Sequence, residues 1–371
     1  MATRRHILLG VLAVAVVSAL VWLTLRLREP VYQGKALSVW LDQFGTNQAT
    51  HPDNDLYKEA QAAIRHIGTN QVRVYLKQMS AGKSPFRLKL MAMIPKRWQA
   101  RLHIPDDLAY ERELWPTRHS GTLGIEALGP DARPFVPNLV QMLNDKNLWV
   151  RENTVVVLGN LGPVARDAVP ALIRCLKDQD DGVRLSAITS LGGIHQEPER
   201  VIPIMIEYLH SKEPSTRMCA LDSLRRFGTE AQSAIPDAIQ LVNDEDTGVR
   251  QEAVTFLLVL GPPARAAIPA LIRAIKDPGE WVRYNAVIAL ANINEEPERV
   301  VPVLIECLDS HEPNLRTAAV AALGSSFKAA AKPAVPKILK CLSDADLGVR
   351  WQATNALRAI DPEAAAKAGV K

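Results

Sequence analysis

The sequence predicts an all-α protein: an α-solenoid of helical repeats 33 residues long, behind one N-terminal transmembrane helix. Three observations carry this. The stretch Leu176-Lys177-Asp178-Gln179-Asp180-Asp181-Gly182-Val183-Arg184 recurs at Leu143–Arg151, Val242–Arg250, Ile275–Arg283 and Leu342–Arg350, with looser copies at Leu209–Arg217 and Leu308–Arg316. Its arginines fall at 118, 151, 184, 217, 250, 283, 316 and 350, in steps of 33 and a last step of 34. A proline column at 137, 170, 203, 236, 269, 302 and 336 keeps the same beat. A fixed period of this size is the mark of a repeat array.

Within one unit, Ala187, Ile188, Leu191 and Ile194 follow Arg184 at helical spacing, so one face is apolar. An alanine stands three residues after the arginine at 187, 220, 253, 286, 319 and 353, small enough to admit a neighbouring helix. A Gly-Pro or Glu-Pro break follows, as at Gly162-Pro163, Glu197-Pro198 and Gly261-Pro262. The column proline then opens a second apolar pattern, where a first-turn residue loses nothing by lacking an N–H. Neither helix buries its apolar face alone, so each repeat needs its neighbours.

The Asp…Val-Arg seam with its alanine and proline columns resembles HEAT repeats in a short bacterial form, strongly over 118–371 and weakly over 56–117. The 33-residue period departs from the usual HEAT range of roughly 40–47. The resemblance is specific for fold and poor for function.

The chain has 371 residues, 47% hydrophobic and 23% charged, with net charge +4, too mild to imply a polyanion. Cys175, Cys219, Cys307 and Cys341 form no Cys-x-x-Cys pair, and they read as thiols outside any disulfide. Residues 7–25 carry no charge and are flanked by arginines; nineteen residues span roughly 28 Å, about a bilayer core. They are expected to form an uncleaved signal-anchor over 1–28 rather than a cleaved signal peptide, giving a single-pass membrane protein whose solenoid lies outside the cytoplasm.

A juxtamembrane segment, 29–55, follows. Its Tyr32-Gln33-Gly34-Lys35 and Leu37-Ser38-Val39-Trp40-Leu41 resemble the corresponding piece of signal-anchored bacterial HEAT-repeat proteins. Ser38 is expected to cap a short helix whose Trp40, Leu41 and Phe44 cover the end of the solenoid. Over 56–117 one degenerate repeat (Ala60, Ala63, Ile64, Ile67, then Val72, Val74 and Leu76) precedes an irregular basic stretch with Lys83, Lys89, Lys96, Arg97 and Arg101. That stretch is read as a solvated helix face; the alternative is lipid or nucleic-acid binding through 83–101. The regular solenoid and its C-terminal cap occupy 118–371. Residues 161–178 and 197–200 reappear at 260–277 and 296–299, so a block of three repeats is duplicated at an offset of 99.

No nucleophile motif, phosphate loop or ligand cluster appears. The expectation is no enzyme, no cofactor and no metal. Asp145, Arg151, Asp178, Arg184, Asp244, Arg250, Asp277, Arg283, Asp344 and Arg350 repeat one pair from repeat to repeat, which stacking requires and catalysis does not. They are expected to form a structural ladder, each Asp capping the next helix or meeting an arginine along the stack.

The expected protein-binding face is the exposed side of the second helices: Gln141, Arg174, Glu207, Tyr208, Gln240, Arg273, Glu306 and Lys340, taken as the concave face. Its alternating charge suits a protein partner of unknown identity and makes nucleic acid an unlikely one. Enzymes with HEAT-like folds exist. The iron-dependent hydroxylases among them use repeated His-Glu pairs, of which only His311-Glu312 occurs; Trp149, Trp281 and Trp351 read as seam-packing residues, not as a glycosylase set. A HEAT-like lyase or other groove enzyme remains the alternative.

Overall fold

The computed structural model describes residues 30–48, 55–68, 71–79 and 119–370. By internal contacts the chain divides into two compact units, Met1–Val157 and Leu158–Lys371. The apolar run 7–25 and the basic stretch 83–101 lie outside the described residues. No helix among the described residues is long and apolar enough to cross a membrane.

In the first unit, β1 (Val31–Tyr32) and β2 (Lys35–Ala36) form a two-stranded antiparallel hairpin. Gln33 and Gly34 turn it with φ of 48° and 76°, the positive values a tight two-residue turn demands. The sequence reading had no hairpin here. It placed Ser38 at a helix cap, whereas Ser38 lies inside α1 (Leu37–Gln48). Trp40, Leu41 and Phe44 are buried as expected. Trp40 Nε1 donates to Tyr32 O at 3.1 Å, and Phe44 stacks on Tyr57 of α2 (Asp55–Ile67) at 4.8 Å. In α3 (Val72–Met79) the buried face is Val72, Tyr75 and Met79; Val74, expected inside, is exposed. Helical backbone runs over 119–128, where a Cβ on Gly124 would strike the Tyr75 ring. Short helix α4 (Val136–Met142) and long helix α5 (Leu148–Asn160) follow.

The second unit alternates short and long helices: α6 (Val169–Cys175), α7 (Asp181–Ile194), α8 (Pro198–Tyr208), α9 (Pro214–Phe227), α10 (Ile235–Leu241), α11 (Thr247–Leu260), α12 (Ile268–Ala274), α13 (Glu280–Ile293), α14 (Pro297–Cys307), α15 (Pro313–Ala322), α16 (Val335–Cys341), α17 (Leu347–Ile360) and the closing α18 (Pro362–Lys367). Asp361 caps α18 by accepting from Ala364 N at 2.9 Å. In most repeats a 3₁₀ turn, such as Gly162–Ala168 or Pro262–Ala267, leads into the short helix, and the column proline sits in its first turn. In α8 and α14 the helix starts four residues earlier than in the other repeats, at Pro198 and Pro297, and the column prolines lie inside it.

The long helices pack flank to flank along the unit, whereas neighbouring short helices meet sparsely. The alanine column, Ala187 to Ala353, is wholly buried in this stack. A second small-residue column fixes the spacing. A Cβ on Gly192 would lie 2.7 Å from Ser223 Cα, and one on Gly324 would lie 2.6 Å from Ala356 Cα.

Each long helix from α5 to α15 is followed by a residue of positive φ: Gly162, His195, Gly228, Gly261 and Asn294, in steps of 33, then Lys328 after a step of 34, whereas α17 ends at Asp361 with φ −147°. The extra residue is taken up by a π-helical turn, Leu323–Phe327, which contains Gly324, still in register, and is followed by Lys328, displaced by one. A π turn is how a helix absorbs a one-residue excess without rotating what precedes it.

Two stability predictions follow from these positions. Helix propensity alone makes Gly192→Ala stabilising by about 1 kcal/mol, but the backbone clash with Ser223 makes it destabilising by about 1–3 kcal/mol; a denaturant midpoint gives the sign. Lys328 holds φ 37° and ψ −108°, close to the glycine conformations at 228 and 261. Lys328→Gly is expected to stabilise by about 0.5–1 kcal/mol, because the relieved strain exceeds glycine's entropy.

Candidate functional site

The polar ladder follows one plan in the repeats that carry the column aspartate; Ser211 and Ser310 replace it in the other two. The column aspartate accepts the N–H two residues on: Asp145 from Asn147, Asp178 from Asp180, Asp244 from Asp246, Asp277 from Gly279 and Asp344 from Asp346, at 2.7–3.0 Å. That bond folds the loop. The helix cap is a different residue, Asp180, Asp246 or Asp346, so the column aspartates do not themselves cap. The arginine reaches back to its own loop. Arg151 Nη1 donates to Asp145 O at 3.0 Å, Arg184 to Asp178 O at 2.7 Å, and Arg350 to Asp344 O at 2.6 Å.

The rest of the guanidinium joins one repeat to the next. Arg250 grips Asp277 with Nε at 2.7 Å and Nη2 at 3.1 Å. Arg316 grips Asp344 at 2.9 and 2.7 Å. Arg283 finds a serine at the following column position and takes Glu312 instead, at 3.3 and 2.5 Å. Arg217 holds Asp244 by Nη2 alone at 2.7 Å, and its buried Nε has no partner. Arg184 pairs with Asp181 on its own helix. These forked pairs are nearly buried, with Arg250 and Asp277 at 11% and 8% exposure. The hydrogen bonds from Arg316 hold the Asp344 carboxyl below its usual range.

The expected binding column is solvent-exposed on the short helices at Gln141, Arg174, Glu207, Gln240, Arg273, Glu306 and Lys340. Tyr208 is half-buried, and its hydroxyl donates to Leu176 O at 3.3 Å in the preceding repeat. One residue further along, Cys175, Ala274, Cys307 and Cys341 are buried. Burial pushes the Cys307 thiol up to about 11. No disulfide joins the four cysteines.

The long-helix side carries what the sequence reading missed. Trp149, Trp281 and Trp351, expected to pack in seams, are 46%, 63% and 63% exposed, and Leu347 is 70% exposed. Trp281 lies two residues before its column arginine and Trp351 one after, opposite the buried valine just before each arginine. Residues around these positions meet both across and within repeats: a Cβ on Gly248 would lie 2.9 Å from Met218 Sδ of the preceding repeat, Asn314 Nδ2 donates to Glu280 of the preceding repeat at 3.4 Å, and on one helix Trp281 meets Tyr284 edge-on at 6.1 Å. The signal was partial: after four of the eight column arginines stand Leu185, Met218, Tyr284 and Trp351, apolar or aromatic, whereas His119, Glu152, Gln251 and Thr317 follow the other four.

On the same wall Cys219 and Asp222 of α9 face Glu252 of α11. Asp222 is held by Arg225 and Arg226. Burial raises both the Cys219 thiol and the Glu252 carboxyl, and a raised thiol is the opposite of an activated nucleophile. Among the described residues no group of three or more His, Cys, Asp or Glu side chains is placed to hold a metal ion. His311 lies 3.6 Å from Glu312, which Arg283 already occupies. An open cleft of about 610 Å³ lies between the loops at Leu209–Lys212 and Asp244–Asp246, over the Arg217–Asp244 pair.

The HEAT-repeat family model matches residues 123–192, 169–257, 235–324 and 301–368, and the chain belongs to that family. No curated protein matches this sequence. Among solved structures, an engineered protein is 19% identical, with 90% of this chain and 92% of that chain covered and a TM-score of 0.48. The complex of CpcE and CpcF of phycocyanin lyase from Nostoc sp. PCC7120 is 23% identical, with coverage of 61% and 94% and a TM-score of 0.40.

The ladder gives a pH-dependent prediction. Asp344 titrates lower folded than unfolded, so its contribution is complete above its unfolded value near pH 4 and is lost as pH falls through the folded value. Asp344→Asn is expected to cost roughly 1–3 kcal/mol at pH 7. The gap from the parent should shrink below about pH 4, as read by denaturant unfolding across pH.

Proposed function

We propose that this protein is a non-catalytic scaffold that holds a protein partner on its long-helix wall, tethered to a membrane by residues 7–25 with the repeats outside the cytoplasm. The observation that carries the reading is the exposed apolar stripe. Trp281 and Trp351, both 63% exposed, stand two repeats apart on the long-helix side, with Tyr284 and Leu347 beside them. Exposed aromatics aligned on a rigid array are what interface hot spots are made of. Closer packing of the long helices supports taking their side, not the short-helix side, as the concave one within residues 158–371. The uncharged run at 7–25 supports the tether.

The second reading keeps the partner on the short helices, where Arg174, Glu207, Gln240, Arg273, Glu306 and Lys340 are all solvent-exposed. Crosslinking and affinity purification of the full-length protein from native membranes, with a nuclease-treated duplicate, separates the two. A stoichiometric protein that survives nuclease and is lost from a Trp281→Ala, Leu347→Ser, Trp351→Ala variant is the expected result. Loss instead on changing Arg174, Glu207 and Arg273 together moves the contact to the short helices. Recovery of nucleic acid or lipid alone sinks the scaffold reading.

A further inference from the structure

The charges on the long-helix wall state what kind of partner it takes; the inference rests on the scaffold reading above. The chain is net basic, at +4, yet the outward positions of the long helices of residues 158–371 bear Asp181, Asp222, Glu252 and Glu280. Two of these are neutralised on the spot: Asp181 by Arg184, and Asp222 by Arg225 and Arg226. Glu252 is half-buried with the Arg225 charge near it, whereas Glu280 is ion-paired with no cation among the described residues. Glu280 is exposed, and its recorded partner is the neutral amide of Asn314. It stands in the first turn of α13, where the helix dipole favours a charged carboxylate.

Beside Glu280, the Trp281 and Tyr284 rings meet at 85° with centroids 6.1 Å apart, and Trp281 is largely open to solvent. An aromatic corner with an unneutralised carboxylate at its rim is a receptor for a cationic side chain, attracted to the ring faces within about 6 Å and to the carboxylate together. Two long helices further on, Leu347 and Trp351 lie one helical turn apart on α17 and form an apolar seat without a charge. Packed helices stand about 8–10 Å apart, so the two seats are roughly 16–20 Å from each other. An extended chain rises about 3.3 Å per residue and covers that distance in about five or six residues.

We infer that the wall takes an extended, basic segment of a protein partner, which seats a Lys or Arg on Trp281, Tyr284 and Glu280 and, about five or six residues away, a large apolar side chain on Leu347 and Trp351. The carboxylate and the aromatic corner select the cation; the apolar seat sets the spacing.

The probes are fluorescein-labelled Gly/Ser peptides of about twelve residues carrying one Arg and one Phe, set about two, six or nine positions apart. Binding to the full-length protein in detergent is read by anisotropy. The roughly six-position peptide is expected to bind best, with Glu280→Lys weakening it about tenfold or more and Trp281→Ala about fivefold. Glu363→Lys, on α18, is expected to leave it unchanged. Glu280 and Trp281 are exposed, so both variants should fold, which circular dichroism checks. Equal binding at all spacings, equal binding of a peptide with Glu in place of Arg, or indifference to Glu280→Lys overturns the inference. A captured partner that depends on Trp351 but not on Glu280, and that the basic peptides do not displace, leaves the scaffold reading standing and removes this one.

Discussion

One guanidinium per repeat holds the array in register. Among the described residues each column arginine from Arg151 to Arg350 donates backward to the carbonyl that opens its own loop, and Arg217, Arg250, Arg283 and Arg316 also reach forward to a carboxylate of the following repeat. The first contact fixes the arginine; the second fixes the neighbour relative to it. Such a nearly buried pair is costly to break singly, at about 3–5 kcal/mol, because the orphaned charge stays in a dry seam. The tight stack of long helices, with glycine, serine and alanine at its closest approaches, is possible only if neighbouring repeats stay within a fraction of an ångström of their register. The apolar packing supplies the driving force, and the arginines supply the alignment.

Much of this was legible in the sequence because a repeat is written many times over. The columns of arginine, alanine and proline named the fold, and the family match over 123–368 agrees with it. What a column cannot say is which neighbour it serves. Asp244 faces Arg217 of the repeat before it, and its own loop N–H, instead of capping the helix that follows. The one-residue excess near the C-terminus was visible as a step of 34; where the chain stores it, the π turn at Leu323–Phe327, was not.

The wall was misread for a physical reason. Large aromatics near a helix start read as packing residues, and a sequence pattern that marks a buried stripe does not mark the bare side of the same helix. Trp281 and Val282 are adjacent, yet one is largely exposed and the other buried, because successive residues on a helix point about 100° apart. The hairpin at 31–36 was missed on a smaller scale. Its turn is Gln33-Gly34, and its strands have two residues each, too few for any alternation to show.

The duplicated block is not duplicated in its bonds. Arg283 spans to Glu312, while its counterpart Arg184, 99 residues earlier, turns onto Asp181, and the matching Glu213 is left exposed. The next joint, Arg217 to Asp244, is held by one prong. Toward the C-terminus the joints are forked. From Arg184 to Arg350 the joints are therefore unevenly tied. Where that stretch flexes, strain collects at the least tied joint, so bending there concentrates near Arg184 and Arg217, and the forked repeats that carry Trp281 and Trp351 move together.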